Sequence, residues 1–145
     1  MDDHRKNGVL IVDDEKSNLE VLIGILTPDY TVYMTKNGSA AIEMANKYLP
    51  DIILLDILMP DMNGFDVLSA LKASDKTRNI PVIIITGLDS VADEERGFDL
   101  GAADFIHKPF SVKIVKAKVR KQIHFEALAK AVEAANLKLA FPAVS

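Results

Sequence analysis

The chain has 145 residues, 26% of them charged, with a formal net charge of -4 and no cysteine. That length suits one domain with a buried core; the missing cysteines exclude disulfides and thiolate metal sites, and the acidic balance speaks against a general nucleic-acid surface. No stretch approaches the roughly 18 apolar residues of a membrane span, and the polar start from Met1 to Asn7 carries no signal peptide, so a cytoplasmic location without membrane or direct nucleic-acid partners is expected.

Val9-Leu10-Ile11-Val12 predicts a short strand stopped by Asp13-Asp14. Leu19, Leu22, Ile23 and Leu26 recur at helical spacing from Ser17, and this helix ends before Pro28. Tyr30 to Met34 predicts a strand, and Asn37-Gly38 opens a helix with Ala41, Ile42, Ala45 and Tyr48 on one face. Pro50 to Asp56 reads as a buried strand followed by the loop Met59 to Gly64 and a helix from Phe65 to about Leu71. Ile80 to Thr86 is a further apolar strand, and a less amphipathic helix covers about Val91 to Leu100 with Gly101 as its C-cap. Asp104 to His107 is the last strand, before a long helix from Ser111.

Continuous apolar strands alternating with helices predict an α/β fold, a parallel sheet covered on both faces. Ligand chemistry in such sheets gathers outside the carboxyl ends of the strands. Those ends carry Asp13-Asp14, Asp56, Thr86 and His107-Lys108-Pro109. Clustered acids raise one another's pKa unless a cation intervenes, and oxygen ligands of this kind suit Mg²⁺. A lysine and a hydroxyl beside them are what a phosphoryl group needs to take up its charge.

The segments Leu10-Ile11-Val12-Asp13-Asp14-Glu15, Leu54-Leu55-Asp56 through Met59-Pro60-Asp61-Met62-Asn63-Gly64, Ile84-Ile85-Thr86-Gly87 and Gly101 through Phe110 stand in one order. In that order they resemble the receiver domain of two-component response regulators, over about residues 8 to 125. The resemblance implies a flavodoxin-like three-layer sandwich: a five-stranded parallel sheet in order 2-1-3-4-5 with five helices, the last extended. It implies a phosphorylation-controlled switch in which Asp56 takes a phosphoryl group from a sensor histidine kinase or phosphotransfer protein. Asp13, Asp14, Asp56 and the carbonyl of Leu58 would bind Mg²⁺. Lys108 would pair with a phosphoryl oxygen, the bond to Pro109 would be cis, and Thr86 and Phe105 would form the switch pair. The open side of Gly87 would leave room for the phosphoryl group. Such a domain is no turnover enzyme; it catalyses only its own phosphorylation and dephosphorylation.

Each residue also has a plainer role. Asp13-Asp14 can end a strand and cap a helix, Asp56 can form an Asx turn, and Thr86 and Lys108 can be ordinary strand-end residues. Phe105 can be core, His107 is read as structural, and Asp61 and Asp66 as turn and first-turn charges. Two alternatives follow for the whole domain. One is a degenerate receiver used only for protein contacts. The other is an aspartate-nucleophile phosphatase, disfavoured by Leu58 two residues after Asp56, where such enzymes carry a second acid. In the receiver family the positions two after Asp56 and two after Thr86 flank attacking water; Leu58 and Leu88 are apolar and predict slow dephosphorylation.

In the last helix Val112, Val115 and Val119 form a stripe expected to pack on the sheet. Phe125, Leu128, Val132, Ala135 and Leu139 form another, out of phase with the first. The expected division is a receiver domain over 8–124 and a helical extension or linker over 125–145. The second stripe predicts a homodimer through a short coiled coil, against the alternative of an end folded on its own domain. The chain is read either as a single-domain regulator or as the receiver portion of a longer protein, and the second reading, with an output domain after Ser145, is preferred.

Overall fold

Central strands that are apolar at every position must be covered on both sides, and that requirement sets the architecture. The computed structural model describes the backbone of residues 6–87 and 90–144, and the side chains of residues 6–87 and 90–136. In chain order the elements are β1 (Gly8–Val12), α1 (Lys16–Leu26), β2 (Thr31–Thr35), α2 (Gly38–Tyr48), β3 (Ile52–Asp56), α3 (Gly64–Ala73), β4 (Val82–Thr86), α4 (Val91–Asp99), β5 (Asp104–His107) and α5 (Val112–Val144). The strands form one parallel sheet in the order β2-β1-β3-β4-β5.

Successive strand residues point to opposite faces, and the core divides accordingly. Leu10, Val12, Ile53, Leu55 and Ile84 lie with Ala41 and Ala45 of α2 and Val67, Leu68 and Leu71 of α3. Val9, Ile11, Leu54, Ile83 and Ile85 lie with Leu19, Leu22 and Leu26 of α1 and Val115 and Val119 of α5. Burying a leucine or isoleucine side chain contributes about 1.5–3 kcal/mol, so both layers are needed to hold the sheet. Continuous apolar strands thus call for helices on both faces, and crossover connections make the strands parallel.

Element ends moved where backbone hydrogen bonds were already committed. The Tyr30 N–H donates to Leu26 O at 2.9 Å and closes the end of α1, so β2 starts one residue later than the apolar run. The Ile80 N–H donates to Thr77 O at 3.0 Å and Pro81 has no N–H, so β4 begins at Val82. Gly101, at φ +106, turns the chain out of α4 while its N–H donates to Phe98 O at 3.0 Å.

Two expected core positions lie elsewhere. Val112 is 52% exposed, because it opens the first turn of α5 and only Val115 and Val119 reach the sheet. Tyr48 is 41% exposed at the end of α2, where it stacks on Tyr33 of β2 at 4.4 Å. Among the described residues no helix is long and apolar enough to cross a membrane.

Candidate functional site

β1, β3 and β4 end side by side, so the residues at their carboxyl ends meet without any long-range reach. Asp13 follows β1, Asp56 closes β3 and Thr86 closes β4; all three are buried. The Lys108 N–H donates to Thr86 O at 2.9 Å, which keeps the end of β5 against β4. Carboxylate oxygens of Asp13, Asp14 and Asp56 lie within 4.8 Å of one another.

The ammonium of Lys108 stands 3.5 Å from Asp13 Oδ2, 3.5 Å from Asp56 Oδ2 and 3.5 Å from Glu15 Oε1. Three carboxylates therefore share the Lys108 ammonium, with Asp14 adding a further negative charge to the cluster. Burial, followed by repulsion from Asp13, pushes the Asp56 carboxyl up to about 7, against the pull of Lys108 and of the Leu58 N–H, which donates to Asp56 Oδ1 at 3.3 Å. Burial pulls the Lys108 ammonium down, but Asp56, Asp13 and Glu15 together carry it above its ordinary value. Asp13 Oδ1 accepts from the Glu15 N–H at 3.0 Å, whereas the buried Asp13 Oδ2 accepts no hydrogen bond.

Lys108 gives this oxygen an ion pair at 3.5 Å but no hydrogen bond, so its burial is only partly offset. An unsatisfied buried oxygen among three clustered acids fits a hard divalent ion with oxygen ligands. Asp14, Glu15 and Asp56 line a cavity of about 370 Å³ with Leu58, Gly87 and Lys108. A Cβ on Gly87 would meet nothing within 4 Å, so that side of the cavity is open. Leu58 is 58% exposed at the mouth. Leu88, the other apolar residue expected to flank attacking water, lies outside the described residues.

Behind Thr86, the Phe105 ring is buried and packs edge-on against Phe98 of α4 at 5.0 Å. Gly97 makes room for it, since a Cβ there would stand 2.5 Å from Phe105 Cζ. The Phe105 carbonyl accepts from Lys118 Nζ of α5 at 2.6 Å. The Lys108–Pro109 peptide is cis. His107 points outward, its Nε2 3.0 Å from Glu94 Oε2.

Two residues have contacts that spacing did not reveal. Glu15 stands in the motif after Asp13-Asp14, yet its approach to Lys108 depends on how β5 is placed. Asp66 is a first-turn acid of α3, as expected. Asp61 serves a different element from its own turn: its carboxylate accepts from the Gly38 and Ser39 N–H groups at the start of α2. The signal for Glu15 was its adjacency to the acid pair; for Asp61 there was none.

Comparison with known proteins identifies the family to which this fold belongs. A family model described as the response regulator receiver domain covers residues 9–120. Response regulator PleD of Caulobacter vibrioides is 43% identical over 119 residues, which are 81% of this chain and 26% of that protein. A probable cyclic di-GMP phosphodiesterase of Vibrio cholerae is 37% identical over 123 residues, 85% of this chain and 28% of that protein. The chain thus spans about a quarter of the length of these curated relatives. The crystal structure of the receiver domain of sensor histidine kinase PA1611 from Pseudomonas aeruginosa has a magnesium ion coordinated in its active site cleft. It superposes with a TM-score of 0.77 at 25% identity, covering 82% of this chain and 98% of that one.

Proposed function

The chain belongs to the response regulator receiver domains, and from that premise we propose that it is a switch thrown by phosphorylation of Asp56. The observation that carries this reading is the gathering of Asp13, Asp14 and Asp56 within 4.8 Å, with Lys108 Nζ 3.5 Å from Asp56 Oδ2. An Asp56 oxygen attacks the phosphorus of a phosphohistidine on a sensor kinase or phosphotransfer protein. The new O–P bond makes an acyl phosphate, the N–P bond breaks, and its electron pair returns to the imidazole nitrogen.

Asp13, Asp14, Asp56 and the Leu58 carbonyl would hold Mg²⁺, which when bound supplies positive charge for the phosphoryl oxygens. Lys108 adds a second positive charge, and the Thr86 hydroxyl a hydrogen-bond donor. Binding of the phosphoryl group by Thr86 and Lys108 in one conformation more strongly than in another shifts a pre-existing equilibrium, with Phe105 following Thr86.

The boundary of the switching unit falls near residue 124 of α5, with 125–145 as an extension. Beyond it Phe125, Leu128 and Val132 are 65%, 50% and 57% exposed, a stripe suited to a second copy of the same helix. An output domain after Ser145 agrees with relatives about four times as long as the aligned region.

The test is incubation with a small phosphodonor and Mg²⁺, read by intact mass and oligomeric state. The native chain is expected to gain one phosphoryl mass and to shift toward dimer, and Asp56→Asn to do neither. A native chain that takes up no phosphate would favour the contact-only reading. The apolar Leu58 at the mouth of the site has no side-chain hydrogen bond to offer a water. Leu58→Asn, whose amide can hydrogen-bond and orient a water, is accordingly expected to shorten the life of the phosphorylated form by about tenfold, the effect of roughly one added hydrogen bond in the transition state. Loss of phosphoryl mass over time measures this, and equal lifetimes would refute the role given to Leu58.

A further inference from the structure

The loop between β3 and α3 brings Leu58 to the cavity beside Asp14 and Asp56, and its hydrogen bonds lie mainly at its two ends. Pro60 has no N–H to donate. At the near end the Leu58 N–H donates to Asp56 Oδ1 at 3.3 Å. At the far end the Gly64 N–H donates to Ile57 O at 2.8 Å, and Asn63 Oδ1 accepts from the Phe65 N–H at 2.7 Å to cap α3.

Between these ends Asp61 reaches out of the loop altogether. Both of its carboxylate oxygens lie 3.1 Å from the Gly38 nitrogen, and Oδ2 accepts from the Ser39 N–H at 3.4 Å. These are the first donors of α2, where unpaired N–H groups and the helix dipole favour a carboxylate. α2 already has its own cap, because Asn37 Oδ1 accepts from the Ala40 N–H at 2.8 Å. The tie therefore adds more to the loop than to the helix. Side chains of the loop and of α3 crowd the start of α2: a Cβ on Gly38 would stand 3.0 Å from Met62 Cβ and 2.7 Å from Val67 Cγ2. α2 is in turn seated on the sheet through Ala41 and Ala45.

We infer that Asp61 is a positioning residue, which anchors the middle of the β3–α3 loop to α2 and so keeps the Leu58 carbonyl in register with Asp13, Asp14 and Asp56 for a divalent cation. The inference rests on the reading of that cluster as a Mg²⁺ site. It assigns to a residue outside the acid cluster a share of the metal affinity, through Gly38 and Ser39 some twenty residues earlier in the chain.

Calorimetric titration with Mg²⁺ separates this role from plain helix capping. Asp61→Ala is expected to weaken Mg²⁺ binding about tenfold, as loss of an outer partner commonly does. Asp61→Asn keeps one acceptor oxygen and should recover part of the affinity; it also carries the comparison if the alanine variant does not fold. Asn37→Ala removes the cap that belongs to α2 and should lower stability with Mg²⁺ affinity unchanged. In the metal-free protein, amide exchange at Leu58 should quicken in Asp61→Ala and hold steady in Asn37→Ala. Asp61 variants that lose stability but bind Mg²⁺ like the native chain would reduce Asp61 to a helix cap and overturn the inference. A native chain that binds no Mg²⁺ would overturn the metal reading beneath it, and the inference with it.

Discussion

Gly64→Ala is expected to destabilise the protein by about 3 kcal/mol or more, a size reached when overpacking has no flexible side chain to absorb it. A Cβ at this position would stand 2.4 Å from the Asp56 carbonyl oxygen and 2.5 Å from Ile57 Cα, and both are backbone atoms. The chain must therefore move either the end of β3 or the first turn of α3. The Gly64 N–H already donates to Ile57 O at 2.8 Å, so any retreat also breaks a hydrogen bond. Because the displaced atoms belong to Asp56 and its neighbour, metal binding should fall along with stability. Gly87→Ala makes the control: with nothing within 4 Å of the added Cβ, its effect on stability should stay within about 0.5 kcal/mol. Urea unfolding of the two variants measures the contrast, and similar losses in both would disprove the steric account.

Asp56→Asn should act in the opposite direction on the metal-free protein. The Asp56 carboxyl is raised from an ordinary 3.8 to about 7 by burial and by Asp13. A group held above its unfolded value binds its proton more tightly when folded. Its contribution is thus complete below about pH 4 and is lost as pH rises through about 7. Above that range the native chain keeps an extra buried carboxylate beside Asp13, while the amide of the variant carries no charge. We expect Asp56→Asn to be more stable by about 1–3 kcal/mol at pH 8 in the presence of a chelator, the usual range for an uncompensated buried polar group. The gap should shrink toward pH 4 and also on adding Mg²⁺ to the native chain. Lys108 still has Asp13 and Glu15 as partners in the variant, so the gain is not cancelled by a stranded ammonium. Parallel stability curves for the two chains from pH 4 to 8 would contradict the electrostatic picture of the site.

These two residues mark different depths of legibility. Asp56 was visible as a site residue because an acid at the end of the run Ile52 to Leu55 is expensive wherever that run is buried. Strand ends in a parallel sheet share one edge, so Asp13, Asp14, Thr86 and Lys108 could be placed beside it from alternation alone. Gly64 gave no comparable signal. A glycine after a turn is ordinary in sequence, and only the approach of β3 to the start of α3 shows that nothing larger fits.

The long helix divides in the same way. Its two out-of-phase stripes were readable from spacing, and Val115 and Val119 do enter the core. Spacing could not say where the first stripe begins, because Val112 has the right period but sits before the helix reaches the sheet. It could not say that Gln122 is also buried, since a polar residue breaks the apolar pattern that marks a face.

By itself the sequence determined the order of the elements, the parallel sheet and the acids at its carboxyl edge, since periodicity and the cost of burying charge are local properties of the chain. Tertiary structure alone decided that Glu15 shares Lys108 with Asp56, that Phe105 lies under Gly97, and that Asp61 is tied to Gly38 and Ser39. All but the Gly97–Phe105 contact join residues far apart in the chain, and every one of their distances follows from how helices settle on a twisted sheet, which no local pattern encodes.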